Sequence, residues 1–368
     1  MRILQLTWSR MDSYGGIQSC VRSLHDAFLQ DGCSVLTYGL PWHDPDHAGP
    51  PDDSPRLPAS GFPAALDDLI TNHEIQGILS HNLLGCYTPG IASAVAACAT
   101  TRHLPHVILV HDVRTVDPRL PHFDARIDHI RSKILKGAYV AVTSHFNFKA
   151  FAREFREPDE IVPPGIDFEV FTPGHEPDAA TIAFPGRLTR YKGALKAIEV
   201  LGDLSQELGP IRLLLSNPNR GCVGESASYL SEVSGAAARY PKLTTSFLAA
   251  TESVADIYRR SALTLTLSEY EGFGLVPLES LACNCPVVAR PVGGMEWLRG
   301  VPGAFCIDDA EQTYGALRQV LSQWKAWRSD ACQGRDQLRQ TYDIRATARR
   351  YLSMFHPKES GGTIAPCA

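Results

Sequence analysis

The sequence predicts an α/β protein made of two doubly wound, Rossmann-like halves, and three observations lead there. The chain has 368 residues, which suits two domains of ordinary size. Short apolar, β-branched runs alternate with stretches of helical periodicity in both halves, as in Ile3–Leu6 followed by Ile17–Gln30, and in Thr181–Phe184 and Ile211–Leu215 further on. Around Ser268–Gly294 the alternation is sharpest: Leu263–Leu267 reads as a buried parallel strand, Glu271–Gly274 as a glycine-rich corner, Val276–Cys283 as a helix and Pro286–Ala289 as the next strand.

That strand–loop–helix–strand unit carries the functional signal. Its loop enters a helix N-terminus, where unpaired N–H groups and the helix dipole favour phosphate. Glu271 in the loop and Glu279 about one turn into the helix frame it. A carboxylate accepts two hydrogen bonds side by side and so suits a vicinal diol, either ribose or sugar hydroxyls. A phosphate loop between two diol readers describes a nucleotide-sugar pocket. The bland reading makes Glu279 a solvated helix residue and Glu271 a complement to the dipole.

The segment resembles the signature of retaining GT-B glycosyltransferases of family 4. Glu271, Gly272, Phe273, Gly274, Glu279, Pro286, Val287, Val288, Gly293 and Gly294 match its pattern, whereas Ser280, Cys283 and Asn284 depart from it. The resemblance implies two Rossmann-like domains facing across a cleft, with the last helix returning to the first domain. It also implies transfer with retention and without a metal or other cofactor.

Composition excludes several alternatives. A formal charge of −5 gives no basic footprint for nucleic acid. The longest apolar stretches, Ile91–Ala99 and Tyr139–Val142, are too short to span a bilayer, and MRILQLTW enters a strand directly without a signal peptide. Ten cysteines lack CxxC pairs or histidines at zinc spacing, which suits reduced thiols and the cytoplasm.

In the first half, the loop Ser9–Gly16 ends in Gly15-Gly16, a strand-to-helix corner that lets a backbone approach a ligand. Alone it equally fits a tight turn; in the family a Gly-Gly here lines the cleft near the donor diphosphate. Asp44-Pro-Asp46 spells a metal-binding DxD, but it sits in the proline-rich loop Pro41–Pro63 and reads as a decoy. Strands at Ile75–Ser80 and Val107–Val110 end in His81-Asn82 and His111-Asp112, at the carboxyl ends where ligands of open sheets collect. His81 reads as structural. His111 matches the family histidine near the transferred sugar, with Asp112 orienting it or holding the acceptor. Ala125–Lys136 reads as a helix packed on the sheet, and Tyr139–Ser144 as a further strand.

Val162–Asp167 and Phe171-Thr-Pro173 resemble the family segment that ends the first domain, with Pro164 in place of its asparagine. The domains expected are 1–168 for the acceptor, 176–341 for the nucleotide-sugar, and a helix over 342–358 crossing back. Gly186-Arg187 and Lys192-Gly193 fit the family's G-R-x-x-x-x-K-G. Two cations at a helix start oppose the dipole unless an anion sits between them, so Arg187 and Lys192 are assigned to the diphosphate. In Asn217–Gly221 the chain departs from the G-x-G of the family, leaving that loop's base and diphosphate contacts open.

The expected activity is transfer of a hexose or N-acetylhexosamine from a nucleotide-sugar to a hydroxyl of a small soluble acceptor. UDP-N-acetylglucosamine or UDP-glucose is the expected donor, and an aminocyclitol or other natural-product intermediate in antibiotic biosynthesis the expected acceptor. His111, Arg187, Lys192 and Glu271 are the expected catalytic residues. Gly15, Gly16, Asp112, Gly272, Phe273, Gly274, Leu275 and Glu279 are expected to bind substrate. No metal site, nucleic acid or membrane contact is expected, and the chain is expected as a monomer or homodimer. The rivals are a nucleotide-sugar epimerase, a mannosyltransferase acting on a glycan or lipid-linked acceptor, and a non-catalytic binding protein. A nicotinamide dehydrogenase is disfavoured because Ser9–Gly16 is not G-x-G-x-x-G.

Overall fold

In the computed structural model, which describes residues 1–7, 15–41, 55–85, 89–113, 130–216, 226–248 and 253–356, the strands gather into two parallel six-stranded sheets. The first lobe runs β1 (Arg2–Thr7), α1 (Gly16–Gln30), β2 (Ser34–Gly39), α2 (Phe62–Asn72), β3 (Gly77–His81), α3 (Pro89–Thr101), β4 (His106–Val110), β5 (Tyr139–Val142), α4 (His145–Glu154) and β6 (Glu160–Ile161). Its strands lie in the order β2-β1-β3-β4-β5-β6. Alternate side chains of one strand enter opposite cores, as buried parallel strands require. Leu4, Ile78, Ile108 and Val140 join the side chains of α2 and α3. Ile3, Leu79, Val107 and Ala141 face Leu24 and Phe28 of α1.

The second lobe runs β7 (Asp178–Phe184), α5 (Ala194–Leu208), β8 (Ile211–Leu215), α6 (Ser226–Ala237), β9 (Leu243–Phe247), α7 (Val254–Arg260), β10 (Ser261–Thr266), α8 (Leu275–Ala282), β11 (Val287–Ala289) and β12 (Ala304–Cys306). It is followed by α9 (Thr313–Ser322) and α10 (Trp324–Tyr342). The sheet order β12-β11-β10-β7-β8-β9 is the dinucleotide-fold order, with its topological switch between β7 and β10. The first sheet switches between β1 and β3 instead, the order of the flavodoxin type. Ligand crevices open at the carboxyl ends of the strands on either side of such a switch.

The chain returns to the first lobe at a break the sequence blurred. Tyr342 ends α10 rather than starting the last helix; Asp343 is extended and its carboxylate caps α11 (Ile344–Met354) by accepting from the Arg345 N–H at 2.9 Å. There the two crossings run side by side, with the Ile166 N–H donating to the Tyr342 carbonyl at 3.0 Å and the Ile344 N–H to the Ile166 carbonyl at 2.9 Å. A Cβ on Gly165 would stand 2.7 Å from the Ile344 Cα, so only glycine permits that approach. Helix α11 then buries Ile344, Ala348, Tyr351 and Phe355 against Ile3, Val107 and the face of α1.

Of the expected helix over Ala125–Lys136, residues 125–129 lie outside the described residues, and the remainder begins as a short π-helical turn at Ile130–Ile134. Ser9–Tyr14, Asp44-Pro-Asp46 and Asn217–Gly221 also lie outside them. Among the described residues, no helix is long and apolar enough to cross a membrane, no group of three or more His, Cys, Asp or Glu could hold a metal, and the cysteines are free.

Candidate active site at the topological switch

Two loops leave the switch of the second sheet and meet above it. After β7, Gly186 takes φ 111° and its N–H donates to Ser216 Oγ at 3.0 Å, turning the chain toward Arg187. A single 3₁₀ turn, Arg190–Lys192, leads to Gly193 at φ 81°, where a Cβ would lie 2.9 Å from the Leu267 carbonyl. The loop therefore hugs the end of β10. Lys192 Nζ is paired with Glu271 Oε1, and both side chains are mostly enclosed, 17% and 15% exposed. Ser268 Oγ donates to the same carboxylate oxygen at 2.7 Å. Arg187 is exposed, its guanidinium touching the Tyr191 hydroxyl at 3.1 Å. Arg190 faces elsewhere, 2.6 Å from Glu232 and over the ring of Tyr229.

Gly274 sits at φ 94° and starts α8 without any capping side chain, leaving the first-turn N–H groups for a ligand. Phe273, just before it, packs between Trp297 and Tyr342, while the Trp297 indole N–H donates to the Phe273 carbonyl at 2.8 Å. On the buried side of α8, Glu279 is only 7% exposed. Its Oε2 accepts from the Tyr258 hydroxyl at 2.6 Å. Burial pushes this carboxyl up to about 7, against the opposing pull of the Tyr258 bond. A cavity of about 230 Å³ opens beside it, bounded by Leu275 and Glu279 of α8, by Ser19, Arg22 and Asp26 of α1, and by Gly165 and Ile166 of the crossing strand.

The first lobe closes on these loops. Gly272 is the contact point: its carbonyl accepts from Ser144 Oγ at 2.9 Å and from Asn147 Nδ2 at 3.3 Å. A Cβ there would collide with Asp112 Oδ1 and stand 2.6 Å from the His111 carbonyl. That carbonyl in turn accepts from Asn147 Nδ2 at 2.7 Å and Thr143 Oγ1 at 3.2 Å. The His111 ring is buried beside His81, and burial lowers its imidazole to about 3. Gly15 caps α1, and a Cβ on Gly16 would touch Leu275 across the cleft at 3.5 Å.

Of the twelve residues singled out from the sequence, Gly16, His111, Asp112, Lys192, Glu271, Gly272, Leu275 and Glu279 lie at or beside the meeting of the two lobes, Gly15, Phe273 and Gly274 adjoin them in the chain, and exposed Arg187 touches Tyr191 instead. Sequence reasoning missed Ser268, Tyr258 and Asn147, which hold Glu271, Glu279 and the paired carbonyls. Only Asn147 left a trace, since Ser144 caps α4 by accepting from the Asn147 N–H.

Residues 166–325 match the family model described as Glycosyl transferases group 1. A D-inositol 3-phosphate glycosyltransferase of Nocardiopsis dassonvillei is 30% identical over 195 residues, 46% of this chain and 43% of the relative. That of Segniliparus rotundus is 27% identical over 235 residues, 56% of this chain and 49% of the relative. The matched stretch thus spans less than half the length of these relatives. Among solved structures, sucrose-phosphate synthase from Thermosynechococcus elongatus superposes with a TM-score of 0.73 at 19% identity, covering 96% of this chain and 98% of the other. Anabaena Alr3699/HepE in complex with UDP-glucose superposes with a TM-score of 0.72 at 17% identity, with the same coverage. The chain accordingly has the GT-B fold of these structures, and its residues 166–325 are similar to the glycosyl transferases group 1 family.

Proposed function

We propose that the chain is a retaining glycosyltransferase that moves a hexose or N-acetylhexosamine from a UDP-sugar to a hydroxyl of a small soluble acceptor. The observation that carries this reading is the Lys192–Glu271 pair, enclosed at the switch point in front of the uncapped start of α8, with the buried Glu279 on the same helix. A diphosphate at the helix start would draw Lys192 and the nearby Arg187 to itself, and Glu271 would then be released to accept from the sugar's hydroxyls. Glu279, with Oε2 anchored by Tyr258, offers Oε1 to the ribose. As the glycosidic bond breaks, charge grows on the leaving phosphate, which the two cations and the α8 amides stabilise. His111 and Asp112 face the reacting side from the first lobe. The departing phosphate takes the acceptor proton, so this path needs neither a protein nucleophile nor a metal.

For the acceptor, a cyclitol is the first class to test, since the relatives are D-inositol 3-phosphate glycosyltransferases. The cytoplasm fits the free thiols. The test is a panel of UDP- and GDP-sugars, with and without inositol phosphates and aminocyclitols, followed by mass spectrometry. Donor hydrolysis and an α-linked product support the reading. Donor isomerisation without an acceptor would establish an epimerase instead, and a panel that binds but never turns over would leave only a binding protein.

A further inference from the structure

We propose that His81 is a positioning residue that fixes the proton of the His111 ring, so that His111 presents its Nδ1–H to the cleft as a hydrogen-bond donor. The use of that donor in catalysis rests on the glycosyl-transfer reading; the assignment of the proton rests on the geometry of the two rings and their burial. His81 ends β3 and His111 follows β4, its neighbour in the sheet. His81 Nδ1 and His111 Nε2 lie 3.0 Å apart. The ring centroids are 5.3 Å apart and the planes differ by 13°. Rings joined nitrogen to nitrogen, nearly parallel and this far apart, lie edge to edge in almost one plane. This is the geometry of an in-line N–H···N bond rather than of face stacking.

Both rings are buried, and burial keeps both neutral. The contact therefore holds a single proton, in one of two arrangements. If His111 donated it, the remaining proton of His81 would sit on Nε2, which is buried and has no partner among the described residues. Orphaned buried N–H groups are the rarest of unsatisfied polar groups. If His81 donates from Nδ1, its Nε2 keeps only a lone pair. His111 Nε2 becomes the acceptor, and the His111 proton moves to Nδ1, on the side of the ring away from His81. The bond made at one ring nitrogen thus decides what the other presents.

Bonds to the main chain of His111 hold the base of that side chain. The His111 N–H donates to Asn82 Oδ1 at 2.6 Å, and its carbonyl is held by Asn147 and Thr143 directly opposite Gly272. A ring so protonated supplies a hydrogen bond to a hydroxyl or phosphate oxygen and lacks a free nitrogen with which to abstract a proton. His111 is thereby a donor to the sugar or leaving group, not a general base.

The experiment is a two-bond ¹H–¹⁵N correlation on the full chain labelled at histidine, with the His111 signals assigned by their loss in His111→Gln. In the wild-type protein His111 should show the neutral Nδ1–H form between pH 6 and 8. In His81→Leu it should revert to the Nε2–H form. His81→Asn, whose amide N–H can stand in for Nδ1–H, should restore the wild-type form. With the nucleotide-sugar hydrolysed fastest in the panel, His81→Leu should lower kcat roughly 10–100-fold at little-changed KM, with recovery in His81→Asn. The Nε2–H form in the wild-type protein, or an unaltered His111 spectrum in His81→Leu, overturns the proposal; the wild-type spectrum decides even if the leucine variant does not fold. Full turnover in His111→Gln would overturn the role of His111 in transfer while leaving the proton assignment standing.

Discussion

Gly272→Ala separates what the second lobe does alone from what closure adds. Gly272 is absent from the glycines at positive φ, so alanine meets no backbone strain there. The added methyl meets only the other lobe: Asp112 Oδ1, and the His111 carbonyl at 2.6 Å, where real Cβ atoms essentially never come within 3.0 Å. The lobes must part by about 0.4 Å or more, in a contact packed as tightly as a protein interior. Overpacking of this kind costs about 1–3 kcal/mol, which is roughly a 5- to 150-fold loss of the closed population. Because the clash spares Lys192, Glu271 and Glu279, the affinity for UDP measured by calorimetry should stay within about threefold, while kcat falls by the larger factor. By contrast, a Cβ on Gly294 would strike the Gly272 carbonyl in its own lobe and stand 2.9 Å from Ser144 Oγ of the first, so Gly294→Ala should lower the melting temperature as well as kcat. Unchanged kcat in Gly272→Ala, or UDP affinity lost in step with kcat, would refute the view that this contact governs closure.

Lys192→Ala and Arg187→Ala should each lower kcat about 10²–10³-fold, the scale for removing a preorganised transition-state donor, with little change in thermal stability; near wild-type rates limited by chemistry would sink their assignment. Glu279→Ala should weaken UDP binding in calorimetry. Tyr258→Phe removes the bond that pulls the Glu279 carboxyl down, so its pKa should rise beyond about 7 and UDP affinity should recover only at higher pH. Wild-type Glu279 has its folded value above its ordinary one, so the folded state holds the extra proton between about 4.5 and 7. Across that window stability should fall with rising pH by about 1.4 kcal/mol per unit for this group, and Glu279→Gln should remove that slope in denaturant titrations. His106 and His111 work in the opposite sense: burial lowers them to about 4 and about 3, so their contribution is present above 6.5 and is lost as pH falls through those values. Acid unfolding followed by hydrogen exchange should therefore begin in the first lobe.

The parts of the site legible in the sequence are those set by local backbone chemistry. Gly186, Gly193 and Gly274 all take positive φ at the corners of the two loops, and the acidic pair is split between the loop, Glu271, and the helix it enters, Glu279. What stayed hidden depends on contacts between distant segments. Tyr258 reaches Glu279 across 21 residues, Lys192 reaches Glu271 across 79, and Ser144 reaches Gly272 across 128. Periodicity reports which face of an element is buried, not which polar group awaits it there, so nothing in the sequence pairs Tyr258 with Glu279. His81 was read as structural for the same reason: its partner stands on the neighbouring strand, 30 residues away. The break at Asp343 was blurred because its neighbours on both sides carry helical periodicity, and only the pairing with Ile166 forces the extended residue.

These long-range contacts give the two lobes unequal tasks. Glu271 is anchored by Ser268 and Lys192, and Glu279 by Tyr258, all within the second lobe, so the donor side is assembled whether or not the cleft is shut. The first lobe holds His111 through Asn82, Thr143, Asn147 and His81, again among its own residues. Gly272 joins the two sets, because its carbonyl accepts from Ser144 Oγ and Asn147 Nδ2, and Asn147 Nδ2 also donates to the His111 carbonyl. A displacement of the loop carrying Gly272 is therefore felt at the His111 carbonyl, through the Asn147 amide and by direct contact. Phe273, the next residue, rests on Tyr342 at the point where the chain crosses back, so the same loop also bears on the hinge. On the proposed reading, filling the diphosphate site would shift Lys192 and Glu271 together, and the loop they hold reaches both the His111 main chain and Tyr342. Donor binding within the second lobe and closure against the first are, on that reading, separate steps joined at this loop, which is why a lone methyl at Gly272 should impair the second and spare the first.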